Sequence, residues 1–550
     1  MNWKNSYRAM KKSAISYNLL YTLPVAIVTS ALVACAVVFN LGLIFFVSFL
    51  LLALVFTGFV AFYPVMNSYV RNQQINNLMP LVVTHLAVLS TSAMSKDQIV
   101  DEILDRSEYG PAVEEFKVVS DLTKNLNVSF ADACRIQSKR TASQTMSDFF
   151  DRLANSTDAG EQFSVFLNNE QTSIFQTYEV SYTASISALD MTKEVYISMI
   201  AAVLFMLIMM CVIPFIQGAP ITLYAALAII AFLVTLLALV FGIRTILPGD
   251  PLWVRNKKKT HVDRRVRLYS AVSIPLCFVV FFVLFLFVTF IPVQIDVAAA
   301  LTPLTLCGYY ARKEQAKVKN RDENYPTFIR AIGSTAGMVR MMDEAVDKLS
   351  EHEFGNLSET IRDLNKRLKS KVKALEDPWH TFGRETGSFL IYEFTHMFAS
   401  AVEAGGDVAQ GSMMINNNFL RILGMRKKRY QSAAGYRWVV YGVAASVGLV
   451  FSIAFSVIFM MQSLYGIVSG FSVQYLGGLF SASSPLTEMA IPMISVLIIT
   501  SYSIAGAFVV KDAESGRDAT MGTDIAGIAW VLAISWIIGD LMMRWATAGL

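Results

Sequence analysis

Residues Thr22 to Pro64 read TLPVAIVTSALVACAVVFNLGLIFFVSFLLLALVFTGFVAFYP, 43 consecutive positions without a charged side chain. A helix crosses a bilayer in about 20 apolar residues. The run is therefore long enough for two spans, and Asn40-Leu41-Gly42 near its middle supplies the tight turn between them. Further uncharged runs follow at Val195 to Pro214, Ile221 to Ile243, Tyr269 to Pro292, Val297 to Tyr310, Trp438 to Met461, Met489 to Val510 and Ile525 to Ile538. The expected fold is an all-α, polytopic membrane protein with about nine transmembrane helices. Composition agrees: 54% of the 550 residues are apolar and 16% charged, against about 25% charge in soluble proteins. That balance excludes a disordered chain or a disulfide scaffold. The net charge of +4 gives no argument for nucleic acid as a partner. Leu32-Val33-Ala34-Cys35 looks like a lipoprotein cleavage box. The chain stays apolar for almost thirty positions beyond it, so it reads as an uncleaved first span.

Orientation follows from Lys and Arg, which are retained on the cytoplasmic side during insertion. With the N-terminus inside, 45 of the 46 basic residues fall in cytoplasmic segments or at cytoplasmic helix ends, and only Arg544 lies outside. Nine spans then put the C-terminus outside the cell membrane. The resulting divisions are 1–64 (tail and two spans), 65–194 (first cytoplasmic domain), 195–247 (spans three and four), 248–268 (basic loop), 269–310 (spans five and six), 311–437 (second cytoplasmic domain) and 438–550 (spans seven to nine), with an outer loop at 462–488.

The two cytoplasmic segments repeat one another. Asp148-Phe149, Ala154 and Asp158-Ala159-Gly160 match Glu393-Phe394, Ala399 and Glu403-Ala404-Gly405 at a constant offset of 245, and Asp132 meets Asp377 at the same offset. The repeated unit is two helices, a cytoplasmic domain and two more helices, with a ninth span added. An even number of spans per unit gives the copies parallel orientation about an axis along the membrane normal. Apolar spacing inside the segments is helical: Ile99, Val100, Ile103 and Leu104 share one face, as do Phe394, Met397, Phe398 and Ala401. Each segment is expected to be a small helical bundle. Asp132 and Asp377 stand as expected N-caps, and Gly405-Gly406 as a helix end or close packing point.

The copies differ in charge. Residues 65–194 hold 17 acidic and 10 basic side chains, whereas 311–437 hold 16 and 21. The basic surplus lies in Lys366, Arg367, Lys369, Lys371 and Lys373, and in Arg426, Lys427, Lys428 and Arg429, with another cluster at Lys257 to Lys259, Arg264 and Arg265. Juxtamembrane clusters suit anionic lipid; the 366–373 cluster, far from any span, suits a protein partner.

Catalytic chemistry has no motif to rest on. The chain contains no Walker loop, dinucleotide fingerprint, His-Glu-x-x-His pair or Cys-x-x-Cys spacing, so no enzyme activity, metal or cofactor is expected. His396 reads as a packed or surface side chain, and Asp296, Glu488 and Asp540 as boundary carboxylates near water. The long outer loop reads as resting at the membrane interface.

Tyr325-Pro326, the helix from Phe394 to Ala401, Glu403-Ala404-Gly405-Gly406-Asp407 and the weaker copy Asp158-Ala159-Gly160-Glu161 resemble the type II secretion F family, the platform proteins of type IV pilus-like machines. Length and span number resemble its archaeal branch, which serves archaella and archaeal pili. The resemblance implies a membrane platform, a homodimer without enzymatic activity. It would bind a cytoplasmic hexameric ATPase and transmit its movements to pilin-like or archaellin subunits. On that basis Lys366, Arg367, Lys369, Lys371, Lys373 and Arg426 to Arg429 are ATPase-docking candidates, because complementary charge steers association. Glu403, Gly405, Gly406, Asp158 and Gly160 are motif positions for close helix packing. A transporter or channel built from parallel repeats is the alternative; it calls for polar groups converging at the bilayer midplane, and the sequence supplies few.

Overall fold

A computed structural model describes residues 71–217, 221–247, 249–254, 261–287, 292–336, 342–370, 377–469 and 490–547. The first helix pair, Lys257 to Lys259, Lys371, Lys373, Glu488 and most of the expected outer loop lie outside the described residues. Within them the chain is helical and forms no strand; Trp253 and Ser388 make one isolated antiparallel bridge. In chain order the helices are α1 (71–89), α2 (Lys96–Leu104), α3 (Pro111–Leu126), α4 (Phe130–Ser138), α5 (Gln144–Asp158), α6 (Phe163–Gln217), α7 (Ile221–Ile246), α8 (His261–Phe287), α9 (Val293–Leu301), α10 (Leu304–Ala336), α11 (Met342–Ser350), α12 (Ser358–Lys369), α13 (Pro378–Thr386), α14 (Phe389–Glu403), α15 (Val408–Ser469), α16 (Ala490–Glu514) and α17 (Met521–Thr547).

The described residues form two compact units, one holding those up to Val180 together with Met397–Ile415, the other those of Ser181–His396 and from Asn416 onward. In the first, short polar residues start the helices. Ser95 and Gln98 form a reciprocal capping box on α2, and Ser129 and Ser143 cap α4 and α5. Such caps satisfy amides that have no intrahelical acceptor, each worth about 1 kcal/mol. Asp132 is therefore not the N-cap expected from the sequence. It sits one turn inside α4, where its carboxylate accepts from the Ser129 hydroxyl at 2.7 Å. The amphipathic faces of α2, α3 and α5 close over Ile99, Val100, Ile103 and the interlocked rings of Phe116, Phe149, Phe150 and Phe166.

In the second unit Asp377 does cap its helix, α13, accepting from the amides of Trp379 and His380. An aromatic cluster of Tyr325, Phe328, Phe354, Phe382, Phe394 and Phe419 forms the polar-side core. Tyr325 and Pro326 lie inside α10, which runs through them. A proline within a helix cannot donate to the carbonyl four residues earlier, here that of Asp322.

Among the described residues, four helical stretches are long and apolar enough to cross a membrane, Arg264–Leu284, Val408–Val457, Ile494–Glu514 and Asp518–Ala546, with a shorter apolar one at Ile230–Arg244. The protein is a multi-pass membrane protein. The expected sixth span, Val297 to Tyr310, is not one helix: Thr302-Pro303 separates α9 from α10, and α10 continues far beyond Tyr310. Helix α15 likewise extends to Ser469, past the start of the expected outer loop. Between apolar helices in lipid, van der Waals packing replaces hydrophobic drive, and small residues permit close approach. Gly448 on α15 lies against Leu532 and Ser535 of α17, and Gly308 on α10 against Gly522 and Thr523. Phe232, Phe451, Tyr502 and Trp536 fill the remaining space. Asp296 is buried in this unit, 3% exposed, rather than wetted at a boundary, and its Oδ1 meets no hydrogen-bond partner among the described residues.

Candidate functional site

The motif Glu403-Ala404-Gly405-Gly406-Asp407 is a helix corner built from one device per residue. Glu403 is the last residue of α14. Gly405 takes φ +71°, a left-handed conformation that costs an L side chain about 1–2 kcal/mol. With that turn, the Gly405 amide reaches the Val402 carbonyl at 3.0 Å and the Gly406 amide reaches Ala401 at 2.8 Å, which satisfies carbonyls the helix end leaves open. A Cβ on Gly405 would meet open space, so the residue is there for its backbone. Gly406 is the packing glycine: its Cβ would lie 2.9 Å from the Ala401 oxygen and 2.9 Å from Thr91 Oγ1. Asp407 then caps α15, its Oδ1 accepting from the amides of Ala409 and Gln410. One turn back, Arg106 of the first unit donates to Ser400 Oγ and Glu102, both at 2.9 Å.

A similar corner closes α5. Helix α5 ends at Asp158 and Gly160 takes φ +70°, with Gly160 bonded to Thr157 and Glu161 to Ser156. Asp158 is tied to Arg135 at 2.5 Å. Here Glu161 stands where the other corner has its close-packed Gly406, so the turn is shared and the close approach is not.

The basic candidates separate into two groups. Lys366, Arg367 and Lys369 lie on the final turns of α12. Each faces a carboxylate: Asp363 at 2.9 Å, Glu385 through two bonds of 2.6 and 2.8 Å, and Asp347 at 2.6 Å. Bonding to Glu385 raises the Arg367 pKa, and the Lys369 bond holds the Asp347 carboxyl below its ordinary value. Lys427 pairs with Glu323 at 2.9 Å, and Lys428 is exposed. Arg426 and Arg429 do not belong with them. Both are about 98% buried and engaged, which corrects the reading of 426–429 as one docking cluster. A 3.6-residue period carries Arg426 and Arg429 to the inner face of α15, whereas Lys427 and Lys428 point out.

Arg426 is the centre of a polar node the sequence does not announce. Its guanidinium clasps Asp250 with Nη2 to Oδ1 at 2.5 Å and Nε to Oδ2 at 2.9 Å, donates to the Pro251 carbonyl at 2.9 Å, and faces Asp322 at 3.4 Å. Ser388 donates to the other oxygen of Asp322. Burial pushes the Asp322 carboxyl up to about 6, against the pull of Arg426, whose nearer partner is Asp250. Arg429 donates to the carbonyls of Asp512 and Ala513, both at 2.9 Å. A second node joins Arg312, Arg437, Glu514 and Asp524. His396 stands edge-on to His380 at 5.7 Å, and Asp540 pairs with Arg544 at 2.9 Å beside a cleft of about 370 Å³. Among the described residues no group of three or more His, Cys, Asp or Glu is placed to hold a metal ion.

The family model for type II secretion system protein F matches residues 82–211. The chain is 29% identical over 541 residues to flagella accessory protein J of Methanocaldococcus jannaschii, covering 96% of this chain and 95% of that protein. It is 27% identical over 503 residues to flagella accessory protein J of Methanococcus voltae, covering 90% of each. No solved structure matches. The helix corner, the apolar helices and this near-full-length likeness agree: residues 82–211 match type II secretion system protein F, and the chain as a whole is similar to flagella accessory protein J.

Proposed function

We propose that this protein is the membrane platform of an archaeal filament machine of the archaellum or type IV pilus kind. It binds a cytoplasmic hexameric ATPase and passes ATP-driven movement to pilin-like or archaellin subunits, without catalysing a reaction itself. The observation that carries this reading is the likeness to two flagella accessory proteins J along at least nine-tenths of the chain. The platform works as a homodimer embedded in lipid, with nine spans, the N-terminus inside and the C-terminus outside.

The tandem duplication belongs to this proposal. It is supported by α5 and α14, whose first and last residues, 144 and 158 against 389 and 403, both differ by 245. ATPase docking falls to Lys366, Arg367, Lys369, Lys371, Lys373, Lys427 and Lys428. The described pairs on this face are exposed, and such pairs contribute about 0–1 kcal/mol, so acidic groups on a partner can replace them at little cost.

Deleting the gene and counting surface filaments by electron microscopy tests the reading. Filaments should disappear and return with the full-length chain. Undiminished filaments in the deletion strain, or solute flux through proteoliposomes of the purified chain, would instead favour a transporter.

A further inference from the structure

Residues 249–254 follow α7 and have no secondary structure of their own, yet four elements hold them. Helix α15 grips Asp250 and the Pro251 carbonyl through Arg426. The α13–α14 junction forms two backbone bonds, Phe389 amide to Leu252 carbonyl at 3.1 Å and Val254 amide to Gly387 carbonyl at 3.2 Å. The α16–α17 turn contributes Ser515, whose hydroxyl donates to the Asp250 carbonyl at 3.0 Å, and Arg517, whose guanidinium stands 5.4 Å from the Trp253 ring centre. Helix α6 adds Tyr182, donating to Asp250 at 3.3 Å.

Irregular segments act as hinges when few contacts oppose their opening. This one is the opposite, because a planar guanidinium with fixed donor directions anchors it and Arg426 is 1% exposed. Pulling Asp250 away would leave a buried charge without its main partner.

We infer that residues 250–254, clamped by Arg426, form a rigid strut that makes the α16–α17 turn, the α13–α14 junction and the Arg426 turn of α15 move as one body. Force applied to the cytoplasmic helices therefore reaches the α16–α17 turn through this strut, alongside the direct hold of Arg429 on Asp512 and Ala513, without local bending. The inference rests on the proposed function only for its cellular readout.

Trp253 and Ser388 are an antiparallel pair flanked by the two backbone bonds rather than joined by them. Their Cβ atoms are thus about 4.5–5.5 Å apart, within reach of a disulfide after small adjustment. Cells carrying Trp253→Cys and Ser388→Cys in the full chain are sheared of filaments and allowed to regrow with and without a thiol oxidant. The strut predicts regrowth at equal rates in both conditions once the disulfide has formed. Regrowth that stops with the disulfide and resumes on reduction overturns it. The deletion strain separates the two ideas: if it keeps its filaments, the platform reading fails and the strut is judged by a second measurement. That measurement also serves if the double variant grows no filaments when reduced. Spin labels on Glu323→Cys and Asp518→Cys, with the five native cysteines replaced, report the distance across the strut in the purified full-length chain. One narrow distance supports the strut. A broad or shifting distribution overturns it.

Discussion

At the residue scale, Asp322 and Arg426 differ in what each would cost to remove. Arg426 neutralises two carboxylates in a place water does not reach, so Arg426→Met leaves Asp250 and Asp322 facing each other and should cost about 3–5 kcal/mol. Asp322→Asn keeps an acceptor for Ser388 and leaves Arg426 its bidentate hold on Asp250; at pH 4, where Asp322 is protonated, thermal unfolding of the full chain in nanodiscs should move little. The sign of the pH effect follows from the raised folded-state pKa, about 6 against an ordinary 3.8. Stabilisation from Asp322 is complete below about pH 4 and is lost as pH rises through 6, a change of about 3 kcal/mol at 1.36 kcal/mol per unit. Among the groups around it, Arg426 and Ser388 oppose this shift while Asp250 and Glu323 add to it. Asp322→Asn should flatten the slope of unfolding temperature between pH 4 and 6; an unchanged slope would show that Asp322 does not titrate there. None of this was legible in the sequence, because Asp250 and Asp322 lie 176 and 104 positions from Arg426.

At the scale of the element, the helix corner was legible in type but not in division of labour. Two adjacent glycines announce a helix end or a close contact; only φ values and neighbouring atoms show that Gly405 supplies the turn and Gly406 the contact. The account predicts that Gly405→Asn is better tolerated than Gly405→Leu, since Asn enters the left-handed region more readily. Gly406→Ala should destabilise the first unit because its Cβ presses on a backbone oxygen. Protease resistance of membrane-inserted variants checks both, and equal effects of Asn and Leu at 405 would refute the turn argument. The basic run of α12 was likewise visible as charge, while its pairing with Asp347, Asp363 and Glu385 needed the fold. Reversing Lys366, Arg367 and Lys369 to Glu should alter stability by no more than about 1 kcal/mol per pair, since these pairs are solvent-exposed.

At the scale of the whole molecule, hydropathy made the all-helical, multi-pass architecture readable, because a bilayer leaves few backbone solutions other than apolar helices. It failed where helices ignore the membrane boundary. Helix α10 runs from an apolar start into the charged segment, and residues 397–415 join the first unit although the sequence divides them with the second segment. Periodicity within one segment cannot report such long-range assignment. The proposed orientation predicts that an impermeant thiol reagent on intact cells labels Arg544→Cys and spares Arg517→Cys; the reverse pattern would invert the topology. The central claim is that a basic cytoplasmic face meets the secretion ATPase, and binding of that ATPase to the full-length chain in nanodiscs measures it most directly. Wild type should bind, more weakly as salt rises, and the Lys366→Glu, Arg367→Glu, Lys369→Glu variant should bind on the order of tenfold less tightly, about 1.4 kcal/mol. Binding by the variant that equals wild type in low salt would contradict the account.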